Sequence, residues 1–402
     1  MRRDSGSASP DARRPSVVIA GFSTRALAES AWRAGWAVAS VDAFADLDHP
    51  ASPAIALARD PLAAWDARAV ARASQGLPGG AAAYVASLEN HPRAVALLAR
   101  GRELLGNAPE VLERARDPRL LTAILAARGF PAPAVRARAP RAHTAGADAR
   151  WLVKPRASGG GHGIAPWTAG VPLSRRQYLQ ERVAGVPGSL SFAADGRRVV
   201  PFALSRQLVG DEAFGASGFQ YCGNILARAG AAAFGRGAGI ALLQGAAAIA
   251  QALTEELGLV GVNGLDFIAR DGIPFVTELN PRASASMELA ERAFGVSVFG
   301  VHAGACRGVL PSFDLAGALR GSPALGKAVL FARRDVRLGD TRRWLGSPHL
   351  RDVPHPGETV SRGQPVCTIF ARGRSAAECR AALVRRAAGV YEEIEGRRRR
   401  SA

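Results

Sequence analysis

The chain has 402 residues, of which 45 are glycine, 25 are proline and 48% are apolar. That is a globular composition, long enough for two or three structural units with a sizeable core. The net charge of +18 raises the question of an acidic partner such as nucleic acid. The excess is almost entirely arginine spread along the chain, and aromatic residues do not alternate with basic runs, so we expect no nucleic-acid surface.

The cysteines and the apolar runs indicate the cellular compartment that we expect. The four cysteines form no C-x-x-C pair, and no histidine pair stands near them at zinc spacing, which predicts free thiols. The first fifteen residues are polar and charged, and no run reaches the roughly 18 apolar residues of a membrane span. We therefore expect a cytoplasmic protein that does not enter a membrane, and a homodimer is left open.

The first ordered segment reads as strand, helix and strand. SVVIAG at residues 16–21 is a short apolar strand, residues 24–34 read as a helix, and Trp36–Asp42 as a second strand. This order predicts a parallel, Rossmann-like start. The first loop, GFSTRA, lacks G-x-G-x-x-G. A dinucleotide site with Asp42 on a ribose is therefore an alternative to Asp42 simply ending a strand at the sheet mouth.

Later segments predict a mixed α+β region and a last module. Residues 117–128 read as a helix broken by GFPAP, and residues 283–305 as an Ala-rich helical stretch. KAVLFA and PVCTIFA read as late strands before a closing helix from about Ser375. The predicted units are a disordered tail (1–15), a Rossmann-like domain (16–112), an α+β domain (113–310), a C-terminal α/β module (311–395) and a basic tail (396–402).

A lysine and a glycine-rich loop form the first chemical signal. Lys154 is one of only two lysines in this arginine-rich chain, and the loop SGGGHG begins four residues later at Ser158. Glycines let backbone N–H groups approach phosphate oxygens, and a compact ammonium adds positive charge. No G-K-[ST] closes the loop, so it is not a Walker A loop. The pattern predicts a phosphate site; the alternative is a flexible linker with an incidental lysine.

A hairpin about the Asp-Gly turn at 271–272 forms the second signal. Folding it sets Asp266 opposite Glu278, and the two-residue period of a strand points Glu278 and Asn280 to one face. Clustered oxygen ligands of this kind suit Mg²⁺ or Mn²⁺ together with substrate phosphates. Arg282 follows and could hold a phosphoryl group bidentately. The alternative is an exposed hairpin with ordinary acidic residues.

The segment YLQERVAGVPGSLSF lies between these two signals. A strand carrying Gln180 and Glu181 leads to Val183 and a glycine turn. In this position it suits a hinge whose backbone pairs with the edge of a purine.

With the three segments in this order, the chain from about Asp117 to Arg307 resembles the ATP-grasp superfamily. The resemblance implies an α/β fold: a Rossmann-like N-terminal domain, an ATP-grasp α+β domain that grips ATP between two subdomains, and a small C-terminal module. The stretches STRALAESAWRAGWAVASVDAFADLD and QLVGDEAFGASGFQYCGN are similar to a subgroup described as predicted ATP-dependent carboligases. Some members of that subgroup are linked to tetrahydromethanopterin and methanofuran pathways.

The resemblance also implies roles for single residues. Lys154 would contact the α- and β-phosphates and Arg282 would face the transferred phosphoryl group, which makes these two the candidate catalytic residues. The metal would be held by Asp266, Glu278 and Asn280. The other implied ATP contacts are Arg119, Ser158, Gly159, Gly160, Gly161, Gly163, Gln180, Glu181 and Val183.

Two positions depart from the family pattern. Family members often carry a lysine on the helix before the first proline turn, where this chain has Arg119. An acidic residue that binds ribose often follows the hinge, where this chain has Pro187. Ser189 is a candidate substitute.

The expected reaction joins a small-molecule carboxylate to an amine, through an acyl phosphate, with release of ADP and phosphate, and cofactor biosynthesis is one setting for it. Carboxylation through carboxyphosphate, as in relatives of biotin carboxylase, is the first alternative. A non-catalytic nucleotide-binding protein is the second. The expected partners are ATP and the two small substrates, with no nucleic acid and no membrane.

Overall fold

The structure is a computed structural model that describes residues 14–56, 65–139, 150–226, 234 and 238–396. Nearly all of the two predicted tails therefore lies outside the described residues. No helix within these ranges is long and apolar enough to cross a membrane. The architecture is mixed α/β, with a parallel sheet, a small sheet and a large antiparallel sheet, which confirms the predicted fold class.

A five-stranded parallel sheet forms the N-terminal domain. Its elements are β1 (Ser16–Ala20), α1 (Arg25–Arg33), β2 (Ala37–Asp42), β3 (Ala54–Ala56), α2 (Ala67–Ser74), β4 (Ala81–Tyr84), α3 (Pro92–Leu98) and β5 (Glu103–Leu105). The strand order is β3-β2-β1-β4-β5, and every pairing is parallel. The apolar β1 is central and buried from Val17 onwards, as expected for a parallel strand covered on both faces. The strand–helix–strand prediction is confirmed.

Two short helices lead from this domain to a small four-stranded sheet. The helices are α4 (Pro109–Ala115) and α5 (Pro118–Ala127), and the strands are β6 (Val135–Arg136), β7 (Trp151–Pro155), β8 (Ala165–Pro166) and β9 (Gln177–Glu181). Asp117 caps α5 by accepting a hydrogen bond from the Arg119 amide at 2.9 Å. The small sheet, ordered β6-β9-β7-β8, has its own apolar cluster of Trp151, Trp167 and Leu179.

An eight-stranded antiparallel sheet is the main body of the chain. Its strands are β10 (Val186–Asp195), β11 (Val199–Val209), β12 (Tyr221–Leu226), β13 (Val260–Arg270), β14 (Ile273–Asn280), β15 (Ala324–Phe331), β17 (Leu350–Arg351) and β19 (Pro365–Gly373). The order is β14-β13-β10-β11-β12-β15-β19-β17. Three strands of the predicted C-terminal module thus extend the sheet of the preceding domain, because β15 pairs with β12. The short pair β16 (Val336–Arg337) and β18 (Thr359–Val360) stands apart.

The large sheet is covered by α6 (Ala238–Leu257), α7 (Met287–Phe294), α8 (Val298–Cys306), α9 (Leu315–Gly321) and α10 (Ala376–Ile394). The Ala-rich stretch expected over 283–305 is two helices and not one. Gly295, with φ +68°, ends α7 in the left-handed conformation. The Ser297 hydroxyl then accepts a hydrogen bond from the Gly300 amide at 3.1 Å and begins α8.

One apolar core joins the N-terminal domain to the large sheet. Phe299 of α8 is fully buried, and its ring lies 5.2 Å from that of Trp36, which precedes β2. The Phe299 amide donates to the Ser30 hydroxyl of α1 at 2.8 Å. The two sheets are therefore held together by packing as well as by the chain, and this fixes the walls of the space between them.

We predict that Phe299→Ala destabilises the protein by about 3–5 kcal/mol, because it empties a packed site in this shared core. Urea unfolding followed by circular dichroism measures the change. Val309→Ala, on a side chain that is 67% exposed, is the control and should cost less than about 0.5 kcal/mol. A loss below about 1 kcal/mol for Phe299→Ala would contradict the shared core.

Candidate active site

A cleft of about 1270 Å³ lies where the N-terminal domain, the small sheet and the large sheet meet. The three chemical segments of the sequence all reach it. The predicted residues that line it are Lys154, Ser158, Gly159, Gly160, Gly161, Gln180, Glu181, Val183, Asp266, Glu278, Asn280 and Arg282. Gly163 and Arg119 are not among the lining residues. The cleft therefore brings together residues that lie up to 128 positions apart in the sequence, from Lys154 to Arg282.

Lys154 is held in the cleft by the small sheet. Its Nζ donates to Gln180 Oε1 at 3.0 Å and lies 3.5 Å from the carbonyl oxygen of Thr277 in β14. The Gln180 amide nitrogen donates to the same carbonyl at 3.1 Å. Burial lowers the pKa of Lys154, against the opposing effect of the Glu278 carboxylate. Gln180 thus connects the small sheet to the large one and orients the ammonium.

The glycine loop follows Lys154 and closes on β12. Its residues Gly160, Gly161 and Gly163 have φ between +63° and +80°, a conformation that side chains rarely adopt. The carbonyl oxygen of Gly160 accepts from the Tyr221 amide at 2.9 Å. A Cβ added to Gly161 would lie 1.9 Å from the carbonyl oxygen of Phe219. Glycine is therefore required there by close packing of two backbones, and Gly163 shapes the loop without lining the cleft.

The hairpin of β13 and β14 places two carboxylates side by side. Asp266 pairs with Glu278 in the register, as the sequence predicts. The Asn280 amide nitrogen donates to Asp266 Oδ2 at 2.9 Å, and its oxygen accepts from Arg282 Nη2 at 3.2 Å. The side chains of Asp266, Glu278 and Asn280 therefore converge. In this orientation the Asn280 amide oxygen is directed to Arg282. The carboxylates of Asp266 and Glu278 are therefore the groups of this set that could bind a cation.

The electrostatics of this pair fit a divalent cation. Burial and the neighbouring Glu278 carboxylate raise the pKa of Asp266 to about 6. Burial also acts to raise the pKa of Glu278, but Arg116 and Lys154 hold it below its ordinary value. Within the described ranges, no group of three or more His, Cys, Asp or Glu side chains could hold a metal. A cation at this pair would need further oxygen ligands, which substrate phosphates commonly supply to Mg²⁺.

Arg116, three residues before the predicted Arg119, contacts one of the two carboxylates. Its Nη1 donates to Glu278 Oε1 at 2.6 Å and its Nε to Asn90 Oδ1 at 2.9 Å. The Arg119 side chain is 62% exposed and lies 3.8 Å from Asp117. Neither Arg116 nor Arg119 is among the residues that line the cleft, and the ATP contact that the resemblance implies for Arg119 stays a prediction. In an arginine-rich chain, no local signal separates the two.

A buried acidic residue from the N-terminal domain supports Arg282. Glu89 Oε1 lies 2.7 Å from Arg282 Nε, and both side chains are buried. The contact is a close ion pair and not a well-directed hydrogen bond, because neither atom meets hydrogen-bond geometry. The sequence analysis missed Glu89. It lies in a short 3₁₀ turn, Leu88–Asn90, with no motif around it.

Asp42 does not face a ribose. Its Oδ2 accepts from the amide and hydroxyl of Thr24, and its Oδ1 accepts from the amides of Phe44 and Ala45 at 2.7 and 2.9 Å. All of its strong acceptor positions are therefore occupied by the loops that follow β1 and β2. These contacts do not support the dinucleotide alternative. They support the interpretation that Asp42 ends a strand.

The other departure from the family pattern lies on β10. Ser189 pairs with Asp266 across β10 and β13, and its hydroxyl hydrogen bonds to the Asp266 carboxylate. Pro187 lies two residues earlier and also lines the cleft. Ser189 is thus placed beside the carboxylate pair, and its role towards a ribose stays a prediction.

A second charged cluster lines the cleft where α1, α7 and β15 meet. Arg25 is almost fully buried; its Nη1 donates to Glu288 Oε1 at 2.9 Å and its Nε to Asp352 Oδ1 at 2.7 Å. The second lysine, Lys327, donates to Glu288 Oε2 at 2.7 Å. Sequence analysis did not find this cluster, because its members come from four separate segments and share no motif.

Comparisons with known proteins agree on the fold. A sequence model of the ATP-grasp domain family matches residues 115–286. An uncharacterized protein of Methanocaldococcus jannaschii, MJ0776, is 23% identical over 118 residues, which is 29% of this chain and 28% of that protein. The shared segment thus spans less than a third of the relative.

Solved structures are similar over most of the chain. Pyruvate carboxylase of Rhizobium etli matches with a TM-score of 0.69 and 14% identity over 92% of this chain, which corresponds to 37% of the carboxylase. L-amino acid ligase of Bacillus licheniformis matches with a TM-score of 0.63 and 14% identity, covering 94% of this chain and 98% of the ligase. At these identities the likeness concerns the fold. Together with the matched family model and the cleft described above, it identifies residues 115–286 of this chain as an ATP-grasp domain.

Proposed function

We propose that the chain binds ATP with Mg²⁺ and joins a small-molecule carboxylate to an amine through an acyl phosphate, with release of ADP and phosphate. The observation that carries this proposal is the set of charges at one place in the cleft. Two carboxylates, Asp266 and Glu278, face each other there, surrounded by the cations of Lys154, Arg116 and Arg282. Such an arrangement suits a metal–triphosphate, because the carboxylates complement the metal cation and the cationic side chains complement the phosphates.

In the proposed reaction, a carboxylate oxygen of the substrate attacks the γ-phosphorus and the bond to the β–γ bridging oxygen breaks, so ADP leaves. The amine nitrogen then attacks the acyl carbon, the C–N bond forms, phosphate leaves and a proton is released. Bound Mg²⁺ would supply neutralisation of the phosphate charge. The protein mainly holds groups in place, as is usual for phosphoryl transfer.

Each residue has a role in this scheme. Asp266 and Glu278, with Asn280 after rotation of its amide, would hold the metal. Lys154 would contact the phosphates nearest the glycine loop, and Arg282 the transferred phosphoryl group. Arg116 takes the role that the family resemblance implied for Arg119, because it lies beside both Glu278 and the Ser158 carbonyl oxygen, 3.4 Å from its Nη2. Glu89 holds Arg282 in place.

The L-amino acid ligase and the pyruvate carboxylase share this fold, so carboxylation through carboxyphosphate is the second candidate function. The two candidate reactions differ in the species that attacks the γ-phosphorus. Release of ADP that depends on bicarbonate and needs no amine would support carboxylation.

The products test the proposed reaction class. We expect ADP and phosphate, because the cationic side chains and the carboxylate pair gather where charge develops at the γ-phosphorus. A screen of carboxylate and amine pairs by ADP release is followed by hydroxylamine trapping without the amine, which should yield a hydroxamate. AMP and pyrophosphate as products would refute the acyl-phosphate route even if ATP binding were confirmed.

The choice of lysine at position 154 gives a second prediction. Mg·ATP should raise the melting temperature of the wild-type protein, because a ligand that binds the native state stabilises it by mass action. Lys154→Ala should remove most of that shift. Lys154→Arg should also reduce it, since a planar guanidinium does not fit the place where one ammonium contacts Gln180 and Thr277. Arg175→Lys on an exposed segment is the matched control. A wild-type shift in Lys154→Arg would contradict the argument.

The raised pKa of Asp266 gives a prediction about pH. The metal must bind the ionised carboxylate, so protons compete with it once the pH falls below about 6. Below pH 6, protonation of Asp266 should lower the Mg·ATP affinity of the wild type about tenfold with each pH unit. Asp266→Asn has no proton to gain at this position, so its affinity should lack this additional decrease. Titration calorimetry between pH 5 and 8 measures it.

Protonation of ATP itself affects every variant equally, so the difference between variants isolates Asp266. Asp340→Asn, at a side chain that lies on the surface, is the control and should retain the wild-type pH profile. Parallel profiles for the wild type and Asp266→Asn would show that Asp266 does not meet the metal.

A further inference from the structure

One part of the cleft differs in character from the proposed phosphate site. It is lined by three aromatic side chains of the N-terminal domain, Phe22, Phe44 and Trp65, and by the carboxylates of Asp46 and Asp352. Phe22 packs edge-on against both other rings, at centroid distances of 5.3 Å to Phe44 and 5.4 Å to Trp65. We name these five residues the aromatic–acidic subsite. It combines an apolar wall with negative charge.

The subsite lies in the same cleft as the carboxylate pair of the hairpin but belongs to another set of charges. The charged groups that act on Asp46 are Asp352, Asp42, Asp48 and Arg25. Those that act on Lys154 are Glu278, Arg116 and Asp266. The two sets share no member. A second substrate bound at the subsite would therefore meet charges other than those of the proposed phosphate site.

The cations near the subsite are already used. Arg25 is shared among Glu29, Glu288 and Asp352, and Lys327 donates to Glu288. These contacts compensate Glu288 and partly compensate Asp352. No arginine or lysine within the described ranges forms an ion pair with Asp46.

The neighbouring carboxylates differ from Asp46 in their hydrogen bonds. Asp42 accepts four hydrogen bonds from Thr24, Phe44 and Ala45, and Asp48 accepts from the amides of Asp352 and Val353 at 3.0 and 2.9 Å. Among the described residues, the Asp46 carboxylate has no hydrogen-bond or ion-pair partner, although it lines the cleft. Within those residues, this half-buried carboxylate therefore has no cationic side chain in contact with it.

An ionised Asp46 carboxylate is unfavourable in this environment. Burial and the carboxylates of Asp352, Asp42 and Asp48 together raise the pKa of Asp46 well above its ordinary value. A cation brought by a ligand would remove the penalty. A metal ion fits poorly, because the oxygens of Asp42 and Asp48 are occupied by backbone N–H groups and no metal-holding group is present within the described ranges. The aromatic rings instead suit an organic cation, which gains cation–π and apolar contacts.

We propose that the aromatic–acidic subsite binds the amine substrate as a primary ammonium ion with an apolar or aromatic body. The ammonium lies at the Asp46 and Asp352 carboxylates, and the body packs against Phe22, Phe44 and Trp65. This inference rests on the proposed function, which makes the bound amine a substrate. Binding itself is a separate property, and it can be measured without ATP.

The test uses three probes of one shape with different charge: benzylamine, benzyl alcohol and benzoate. Their binding to the full chain is measured by saturation-transfer NMR and titration calorimetry without nucleotide. We expect benzylamine to bind at least tenfold more tightly than benzyl alcohol, and benzoate to bind least. Equal affinity for benzylamine and benzyl alcohol would overturn the proposal.

Asp46→Asn is the decisive variant, because it keeps the shape and removes the charge. We expect it to lower benzylamine affinity to that of benzyl alcohol, whereas Asp340→Asn, a surface carboxylate, should leave the preference unchanged. Asp46→Asn should melt at the same temperature as the wild type or higher, since a half-buried charge close to three other carboxylates is lost. An unchanged preference for benzylamine in Asp46→Asn would refute the subsite, as would Mn²⁺ that broadens the signals of the Asp46 loop and displaces benzylamine.

The outcomes separate this inference from the proposed function. The Mg·ATP thermal shift and the product analysis test the nucleotide site. Benzylamine binding that depends on Asp46 would stand even if no ADP were formed. Loss of that binding with ADP formation intact would reject the amine subsite alone.

Discussion

Two carboxylates on neighbouring strands, Asp266 and Glu278, lie opposite each other inside a largely buried cleft. Burial and the repulsion between like charges both disfavour an ionised Asp266, and together they raise its pKa to about 6. Arg116 and Lys154 stabilise Glu278 in its ionised form. One carboxylate of the pair is therefore stabilised as an anion, and its neighbour is less readily ionised.

The compensating cations come from different layers of the fold. Lys154 is carried by the small sheet, Arg116 by the turn between α4 and α5, and Arg282 by the segment after β14. Glu89 of the N-terminal domain in turn holds Arg282. The parallel sheet thus contributes to the site through a charge that touches an arginine. The N-terminal domain also shares an apolar core with the large sheet.

The same fold builds a second balance around Arg25. This guanidinium of α1 contacts Glu288 of α7 and Asp352 near the end of β17, so it ties three parts of the chain together. Burial would lower the pKa of Arg25, and the two carboxylates raise it well above its ordinary value. Buried ion pairs of this kind contribute modestly to net stability but strongly disfavour any arrangement that separates the partners. They therefore favour one relative placement of the N-terminal domain and the large sheet.

Sequence alone determined the local parts of this protein. Alternation along β13 and β14 and an Asp-Gly turn predict the hairpin, and a register shift between Asp266 and Phe267 brings Asp266 opposite Glu278. The lysine, the glycine loop and the strand–helix–strand start are likewise local patterns whose geometry follows from backbone sterics. Asn280 donates a hydrogen bond to Asp266, and a shared role of Asp266, Glu278 and Asn280 in holding a metal stays a prediction.

Contacts between distant segments needed the tertiary structure. Arg116 and Arg119 are three residues apart in an arginine-rich chain, and only the packing of the turn between α4 and α5 against β14 decides which one meets Glu278. Glu89, Arg25 and Lys327 belong to none of the three chemical segments of the sequence. Each is buried and paired with a residue elsewhere in the chain, up to 327 positions away in the contact of Arg25 with Asp352. Local sequence sets the direction of a side chain along its own strand or helix, whereas the partner that it meets is set by how the sheets pack.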